Sequence, residues 1–323
     1  MRIIFRADGN SSTGLGHIMR SVALMQMLSR GFKCEFWTRN MDYFPLADVG
    51  SEAVLRSLDS EPGYTEEARL LGEELGAGDI VVLDGYQFET SYQNAVRSNG
   101  AALVCVDDIM SYHFTADMVI NHAGGLSEKE YSAEAYTKFC LGPAFALVKP
   151  LFNLHRGQSR DPDNKSLLVA LGGADPHNDT ARVLSKLADG KYSQIKVVLG
   201  AANKHLASLS AAFGKHPGIS FHQSLTAKEM CSLMIDCPYA VLSPSTVCYE
   251  YMTLGGMVYL YQIADNQQRI KEYFLSEQLA CDFEHQAGST AALYHSVRSR
   301  QQEVFDGESP RRLLERFNEI SKR

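Results

Sequence analysis

Arg2-Ile3-Ile4-Phe5-Arg6-Ala7-Asp8-Gly9-Asn10-Ser11-Ser12-Thr13-Gly14-Leu15-Gly16-His17-Ile18-Met19-Arg20 stands near the start of the chain. A short apolar run breaks into a Gly- and Ser-rich turn. A segment then follows with Ile18, Val22, Met25 and Leu24, Leu28 on one helical stripe. A strand that feeds a helix through such a turn is the repeating unit of a parallel α/β sheet covered on both faces. Gly31 is expected to end this helix at C′.

The alternation continues outward. Strands are expected at 3–7, 34–38, 80–83, 102–106 and 118–120, and again at 167–171, 195–199, 219–221, 240–242 and 258–261. Helices between the later strands include 179–187, 204–213 and 227–235. The segment 155–165 has no apolar residue to bury and reads as a linker. With 323 residues, about twice the usual domain length, two domains are expected: 1–154 and 166–323. Pro310 marks a helix start before Leu313, Leu314 and Phe317, and this last helix is expected to pack back on the first domain. The expected class is α/β, with two doubly wound Rossmann-like domains facing across a cleft. Ligands of such sheets bind beyond the carboxyl ends of the strands, so the residues that matter should follow strands directly.

Composition narrows the function. Net charge is −7, which argues against a sequence-blind nucleic-acid binder but leaves a small anionic ligand open. Apolar residues at 45% and charged residues at 21% fit a folded chain. The N-terminal run reaches charge too soon for a signal peptide, and no 18-residue apolar stretch occurs. A cytoplasmic protein with no membrane partner is expected. Seven scattered cysteines suit reduced thiols better than a disulfide framework. Neither C-x-x-C nor H-E-x-x-H occurs, so a zinc site has little support, and no metal or cofactor is expected.

Several clusters follow strands. Gly14 and Gly16 permit close approach to backbone, and Met19 stands where a dinucleotide fingerprint would place its third glycine. His17 falls in the first helical turn, where the positive end of the dipole disfavours imidazolium. It could therefore serve as a base, although from spacing alone it reads first as a ring that caps or packs in the turn. Asp84-Gly85-Tyr86 and Asp107-Asp108 end strands, and each reads first as a loop or cap. A magnesium site at the aspartate pair is the weaker reading, because adjacent residues on a strand end point apart. Gly172-Gly173 begins a tight strand-to-helix turn suited to a phosphate, or is simply a well-made turn. Ser245 and Thr246 could offer donors to a diphosphate, and Glu250 could take the hydroxyls of a ribose. An N-capped helix with an acidic first turn fits the same residues. Asp265-Asn266-Gln267 repeats the arrangement after the last expected strand.

Together these motifs resemble the nucleotide-sugar hydrolases of pseudaminic acid biosynthesis, which act on UDP-2,4-diacetamido-2,4,6-trideoxy-β-L-altropyranose. The resemblance rests on F-R-A-D-G-N-S-S-T-G-L-G-H-I-M-R, D-G-Y-Q-F, V-D-D-I, L-G-P-A-F-A-L-V-K-P, L-G-G-A-D-P-H-N-D-T, S-T-V-C-Y-E and I-A-D-N-Q, in order from residue 3 to about 268. It implies a GT-B-like pair of domains and metal-independent hydrolysis at the anomeric carbon, releasing UDP and free sugar. His17 would activate water, Tyr86 would assist at the sugar or water, and Asn266 would orient the sugar or pyrophosphate. Substrate contacts would come from Gly14, Gly16, Arg20, Asp84, Asp107, Gly172, Gly173, Ser245, Thr246, Glu250, Asp265 and Gln267. Ser243-Pro244 departs from the Gly-Gly usual in the family, so one backbone donor to the nucleotide is lost. A monomer with a UDP-sugar substrate is expected. The alternatives are a GT-B glycosyltransferase using the same donor and a non-catalytic nucleotide-sugar binder.

Overall fold

The computed structural model describes residues 1–10, 14–49, 53–173, 175–187, 190–201, 203–285 and 290–322. Residues Ser11, Ser12, Thr13 and Ala174 of the quoted motifs lie outside them. The first sheet comprises β1 (Arg2–Ala7), β2 (Lys33–Thr38), β3 (Val54–Ser57), β4 (Asp79–Asp84), β5 (Ala102–Val106), β6 (Met118–Asn121) and β7 (Lys138–Leu141). Its order is 3-2-1-4-5-6-7, with parallel pairing throughout. Helices α1 (Gly16–Leu28), α2 (Tyr64–Glu74) and α3 (Thr90–Val96) follow β1, β3 and β4. Alternation is clean: Ile3, Phe5, Ile80, Val82 and Val104 face one buried cluster, whereas Ile4, Val81, Leu83 and Leu103 face the other. Two apolar faces are what helices on both sides of a parallel sheet require.

After α4 (Pro150–Leu154) comes a second parallel sheet. It comprises β8 (Ser166–Ala170), β9 (Gln194–Leu199), β10 (Ile219–Gln223), β11 (Tyr239–Leu242), β12 (Met257–Leu260) and β13 (Cys281–Asp282), in the order 10-9-8-11-12-13. Its helices are α5 (Asp179–Lys186), α6 (Leu206–Phe213), α7 (Ala227–Asp236), α8 (Thr246–Leu254), α9 (Gln268–Ser276) and α10 (Ala291–Val304), before α11 (Ser309–Ile320). Leu167, Val169, Val197, Val241 and Met257 share one buried cluster of this sheet.

The chain divides into a unit of residues 1–10, 15–150 and 308–323 and a unit that holds 151–307. The segment 155–165 is therefore part of the second unit rather than a free connector. Charged side chains with no apolar face still become buried when carbonyl groups receive their protons. Arg160 does this, donating to Gly255 O at 2.9 Å and to Met234 O, while Arg156 Nε donates to Phe305 O at 2.6 Å. Helix α11 belongs to the first unit, with Leu313 and Phe317 buried beside Val22 and Leu28 of α1. Gly31 does not cap α1. That helix ends at Ser29 in right-handed conformation, Gly31 is not left-handed, and a Cβ on Gly31 would meet Leu314 Cδ1 at 2.9 Å. The glycine clears α11.

Strands β3, β7 and β13 were not expected. Each is a short strand at the edge of its sheet, and β3 and β13 carry no fully buried residue, so neither shows a long apolar run.

One polar residue interrupts the alternation of β1. Arg6 is fully buried, donating to Glu67 Oε1 at 2.8 Å and to Asp8 Oδ2 at 2.6 Å, and its guanidinium lies 5.2 Å from the Phe88 ring centre. Arg39 Nε also reaches Glu67, at 2.5 Å, and Tyr92 Oη donates to it at 2.6 Å. Removing one partner of a buried ion network strands the remaining charge. Glu67→Ala is expected to lower stability by about 3–5 kcal/mol, read as a drop in the urea midpoint. A midpoint unchanged from wild type would show that water replaces the carboxylate.

Candidate active site

In each sheet the connection reverses direction beside its central strand. The reversal lies between β1 and β4 in the first and between β8 and β11 in the second. Beyond the carboxyl ends of such a strand pair the loops diverge and leave a crevice. The residues gathered at these two places are those that the sequence singled out after strands.

In the first unit, Ala7 pairs with Asp84 at the ends of β1 and β4, and α1 begins nearby with Gly16 and His17. Gly14 has φ +81°, a conformation that an L side chain rarely adopts, whereas nothing crowds Gly16. His17 Nδ1 lies 2.7 Å from Asp84 Oδ1. Arg20, one turn on along α1, spreads over the same carboxylate: Nε to Oδ2 at 2.8 Å and Nη2 to Oδ1 at 2.6 Å. Ser21 Oγ donates to Oδ2 at 3.0 Å. Burial raises the Asp84 pKa, but the Arg20 guanidinium and His17 outweigh it and hold the group at about 2. Asp84 is thus an ionised acceptor with no exposed surface.

This decides the histidine tautomer. A carboxylate can only accept, so His17 Nδ1 carries a proton and donates it to Asp84. Arg20 Nη2 is 3.0 Å from the same nitrogen but is committed to Asp84 at shorter range. In the neutral ring Nε2 is then the acceptor. Tyr86 stands edge-on to His17, with ring centres 4.7 Å apart and an interplanar angle of 87°.

Asp84 and Arg20 are buried and turned onto each other and onto His17. Asp107 folds back on its own loop, accepting from Ile109 N at 3.2 Å and Met110 N at 3.1 Å. It is the strand-end cap that its position first suggested, and burial raises its pKa. Two residues of this neighbourhood were not among the expected contacts. Asp108 Oδ2 accepts from Arg20 Nη1 at 2.9 Å and from Tyr86 Oη at 3.4 Å. His122, just after β6, accepts from Leu147 N at 3.2 Å through Nδ1, and burial pushes its pKa down to about 3. The sequence signals for them were the V-D-D-I strand end for Asp108 and the strand-end position for His122.

In the second unit, β8, β11 and β12 are neighbours, so the turns after them share one edge. Gly172 has φ +104°, and a Cβ there would lie 3.7 Å from Ser243 Oγ and 3.8 Å from Ile263 Cδ1. Those are ordinary contacts, so the positive φ rather than crowding is what requires glycine here. The start of α5 is less open to a phosphate than the sequence suggested. Asp175, itself left-handed at φ +45°, accepts from Asp179 N at 2.7 Å and Thr180 N at 3.0 Å. The start of α8 differs. Ser245 occupies its N-cap without a side-chain cap bond, and its hydroxyl lies 3.0 Å from Ser243 Oγ instead. Thr246 is the first helical residue, and no acidic residue lies in the first turn. Glu250 is one turn in and buried. Asp265, Asn266 and Gln267 form a 3-10 turn in which Asp265 and Asn266 are exposed, and Gln267 Oε1 accepts from Ile263 N at 3.0 Å.

The depressed carboxylates of the first unit predict a loss of stability in acid. Asp84 is depressed to about 2, while Asp8 and Glu67 are lowered by Arg6 against the opposing effect of burial. A group with a depressed folded pKa stabilises above its unfolded value and loses that contribution as pH falls towards the folded one. For Asp84 alone, the shift from 3.8 to about 2 corresponds to about 2 kcal/mol. Asp107, raised by burial, works in the opposite sense. Trp37, the single tryptophan, is buried in this unit and reports on it. Its urea midpoint is expected to hold from pH 7 to about 4.5 and to fall steeply below about 4. A midpoint that rises on acidification would contradict these ion pairs.

No family model matches the chain. An uncharacterized protein of Methanocaldococcus jannaschii is 26% identical over 281 residues, covering 81% of this chain, which spans 56% of that protein's length. Spore coat polysaccharide biosynthesis protein SpsG of Bacillus subtilis is 23% identical, covering 87% of this chain and 83% of that protein. The UDP-2,4-diacetamido-2,4,6-trideoxy-β-L-altropyranose hydrolase of Campylobacter jejuni is 21% identical, covering 79% of this chain and 89% of that enzyme. Among solved structures, Anabaena Alr3699/HepE with UDP-glucose has a TM-score of 0.61 at 13% identity, with 99% of this chain and 100% of that one aligned. Acinetobacter baumannii MurG has a TM-score of 0.55 at 12% identity, with 99% and 100% aligned. A UDP-N-acetylglucosamine 2-epimerase has a TM-score of 0.57 at 14% identity, with 98% and 95% aligned. These likenesses establish the fold: two Rossmann-like α/β domains of the GT-B class, with seven and six parallel strands. No helix among the described residues is long and apolar enough to cross a membrane.

Proposed function

We propose that this chain processes a UDP-sugar by hydrolysis at the anomeric carbon, with His17 as the base. The observation that carries the reading is the 2.7 Å bond between His17 Nδ1 and the ionised, fully buried Asp84. With Nδ1 donating to Asp84, Nε2 is the nitrogen left to accept a proton when the ring is neutral. Water gives a proton to Nε2 as its oxygen bonds to C1. The C1–O bond breaks, and its electron pair leaves on the β-phosphate of UDP. UDP is a good leaving group, so the reaction drawn needs no metal and little acid assistance.

The second unit is assigned the nucleotide. The Ser245–Thr246 start of α8, free of its own side-chain cap and of acidic residues in its first turn, suits the developing diphosphate charge. The turn at Gly172 and Gly173 lets backbone approach the same group. Glu250 is assigned the ribose, Tyr86 the sugar or water, and Asn266 the sugar or pyrophosphate. The named activity of the Campylobacter relative supports a 2,4-diacetamido-2,4,6-trideoxyhexose as the sugar and a place in nonulosonic acid biosynthesis. The SpsG relative supports the broader statement of sugar biosynthesis.

Fold does not separate a hydrolase from a transferase or an epimerase. Incubation with UDP-2,4-diacetamido-2,4,6-trideoxy-β-L-altropyranose alone, in ¹⁸O-water, does. Sustained UDP release with label in the free sugar is expected. Label in phosphate would place the attack at phosphorus, and release only on adding an acceptor would make the chain a transferase. Calorimetric binding of UDP with no turnover of any UDP-diacetamido sugar would make it a binder.

A further inference from the structure

Adjacent residues at a strand end point to opposite sides, and Asp107 and Asp108 divide their work accordingly. Asp107 closes its own loop, as its bonds to Ile109 N and Met110 N show. Asp108 turns the other way, towards α1 and the loop after β4. Its Oδ2 takes Arg20 Nη1 at 2.9 Å and Tyr86 Oη at 3.4 Å. Tyr86 is 41% exposed, and its ring presents an edge-on contact of 4.7 Å to His17. Tyr86 thus bridges the Asp108 carboxylate and the His17 ring.

We propose that Asp108 is a positioning residue that holds Tyr86 against the His17 ring and so fixes the direction of Nε2. This deepens the His17 reading and rests on it. Asp84 sets the tautomer and anchors one edge of the imidazole; Asp108, through the phenol, supports its face. Arg20 ties the two carboxylates together, with Nη2 on Asp84 and Nη1 on Asp108, so both supports are referred to one guanidinium. Asp108 does not touch the reacting atoms.

The test is a double-mutant cycle on the full chain: wild type, Tyr86→Phe, Asp108→Asn and the pair. Hydrolysis kinetics and the His17 ring proton resonances are read for each. Both single variants are expected to displace the His17 resonances in the same direction, because the shielding by the Tyr86 ring changes. Each is expected to lower kcat about tenfold with KM nearly unchanged, and the pair is expected to be no slower than the slower single. Effects that multiply would show that Asp108 acts through Arg20 alone, and overturn the proposal. If Asp108→Asn does not fold, Tyr86→Phe decides: unmoved His17 resonances and unchanged kcat overturn it equally. The resonances need no substrate. A wild type that releases no UDP, with the resonance shifts present, supports the positioning while overturning only the hydrolysis.

Discussion

Asparagine in place of His17 is expected to lower UDP release by about 10²- to 10⁴-fold, to the limit of detection, while the Kd for UDP stays within about twofold. Asparagine is close in size and can still donate to Asp84, so the buried ion pairs survive. What it removes is the one nitrogen that can take a proton from water. Binding is spared because the proposed nucleotide contacts lie on turns of the second unit, none of which involves α1. Steady-state UDP release and calorimetry measure the two effects separately. Retention of more than about a tenth of the wild-type rate would be incompatible with a general base. Loss of UDP binding alongside turnover would show that the side chain serves the nucleotide.

The second large effect is expected at Asp84. Asp84→Asn keeps the shape but replaces an obligate acceptor by a group with both a donor and an acceptor end. Arg20 can only donate and spends Nε and Nη2 on the carboxylate. The Asn carbonyl is drawn to Arg20, leaving the amide N–H₂ towards His17. Nδ1 must then accept, the proton moves to Nε2, and the nitrogen proposed to face water becomes a donor. A loss of about 10³- to 10⁴-fold in kcat is expected, of the size seen when the orienting carboxylate of a catalytic histidine is neutralised. A stability loss of about 3–5 kcal/mol is expected alongside it, since Arg20 is left with a weaker partner in a buried place. Kinetics at a temperature where the variant is still folded, as Trp37 fluorescence reports, separate the two. A variant that is destabilised yet turns over normally would reduce Asp84 to a structural role. If instead Arg20 keeps the donor end away and the tautomer is unchanged, the His17 nitrogen resonances will show it directly.

Most of the architecture was legible in the chain itself. Runs such as Ile3-Ile4-Phe5 and Ile80-Val81-Val82-Leu83 are short, apolar and rich in β-branched residues, and the turns after them carry the Gly, Ser and Asp that stop a strand, which together read as strands buried on both faces. The edge strands β3 and β7 were not legible. At an edge one side is open, the apolar alternation weakens, and four residues resemble a loop. The segment 155–165 misled for the converse reason. Polarity reads as exposure, yet Arg160 is buried because carbonyl groups of the second unit receive its protons.

At the site, position was legible and role was not. His17, Asp84, Tyr86 and the Asp107-Asp108 pair could all be singled out because each follows a strand, and strand ends in a parallel sheet share one edge. Whether a carboxylate at that edge meets ligand, caps its own loop or holds another side chain depends on where it points and what lies within 3 Å. That is a matter of three dimensions: Asp107 and Asp108 are neighbours in sequence, and one binds its own backbone while the other binds Arg20 and Tyr86. The sequence by itself determined two parallel sheets and the edges on which chemistry could sit, because periodicity and turn composition are local properties. Only the tertiary structure decided that Asp84 orients His17 and that Arg20 ties the two carboxylates together. Residues 17, 20, 84 and 108 come within hydrogen-bond reach only when β1, β4 and β5 are ordered side by side.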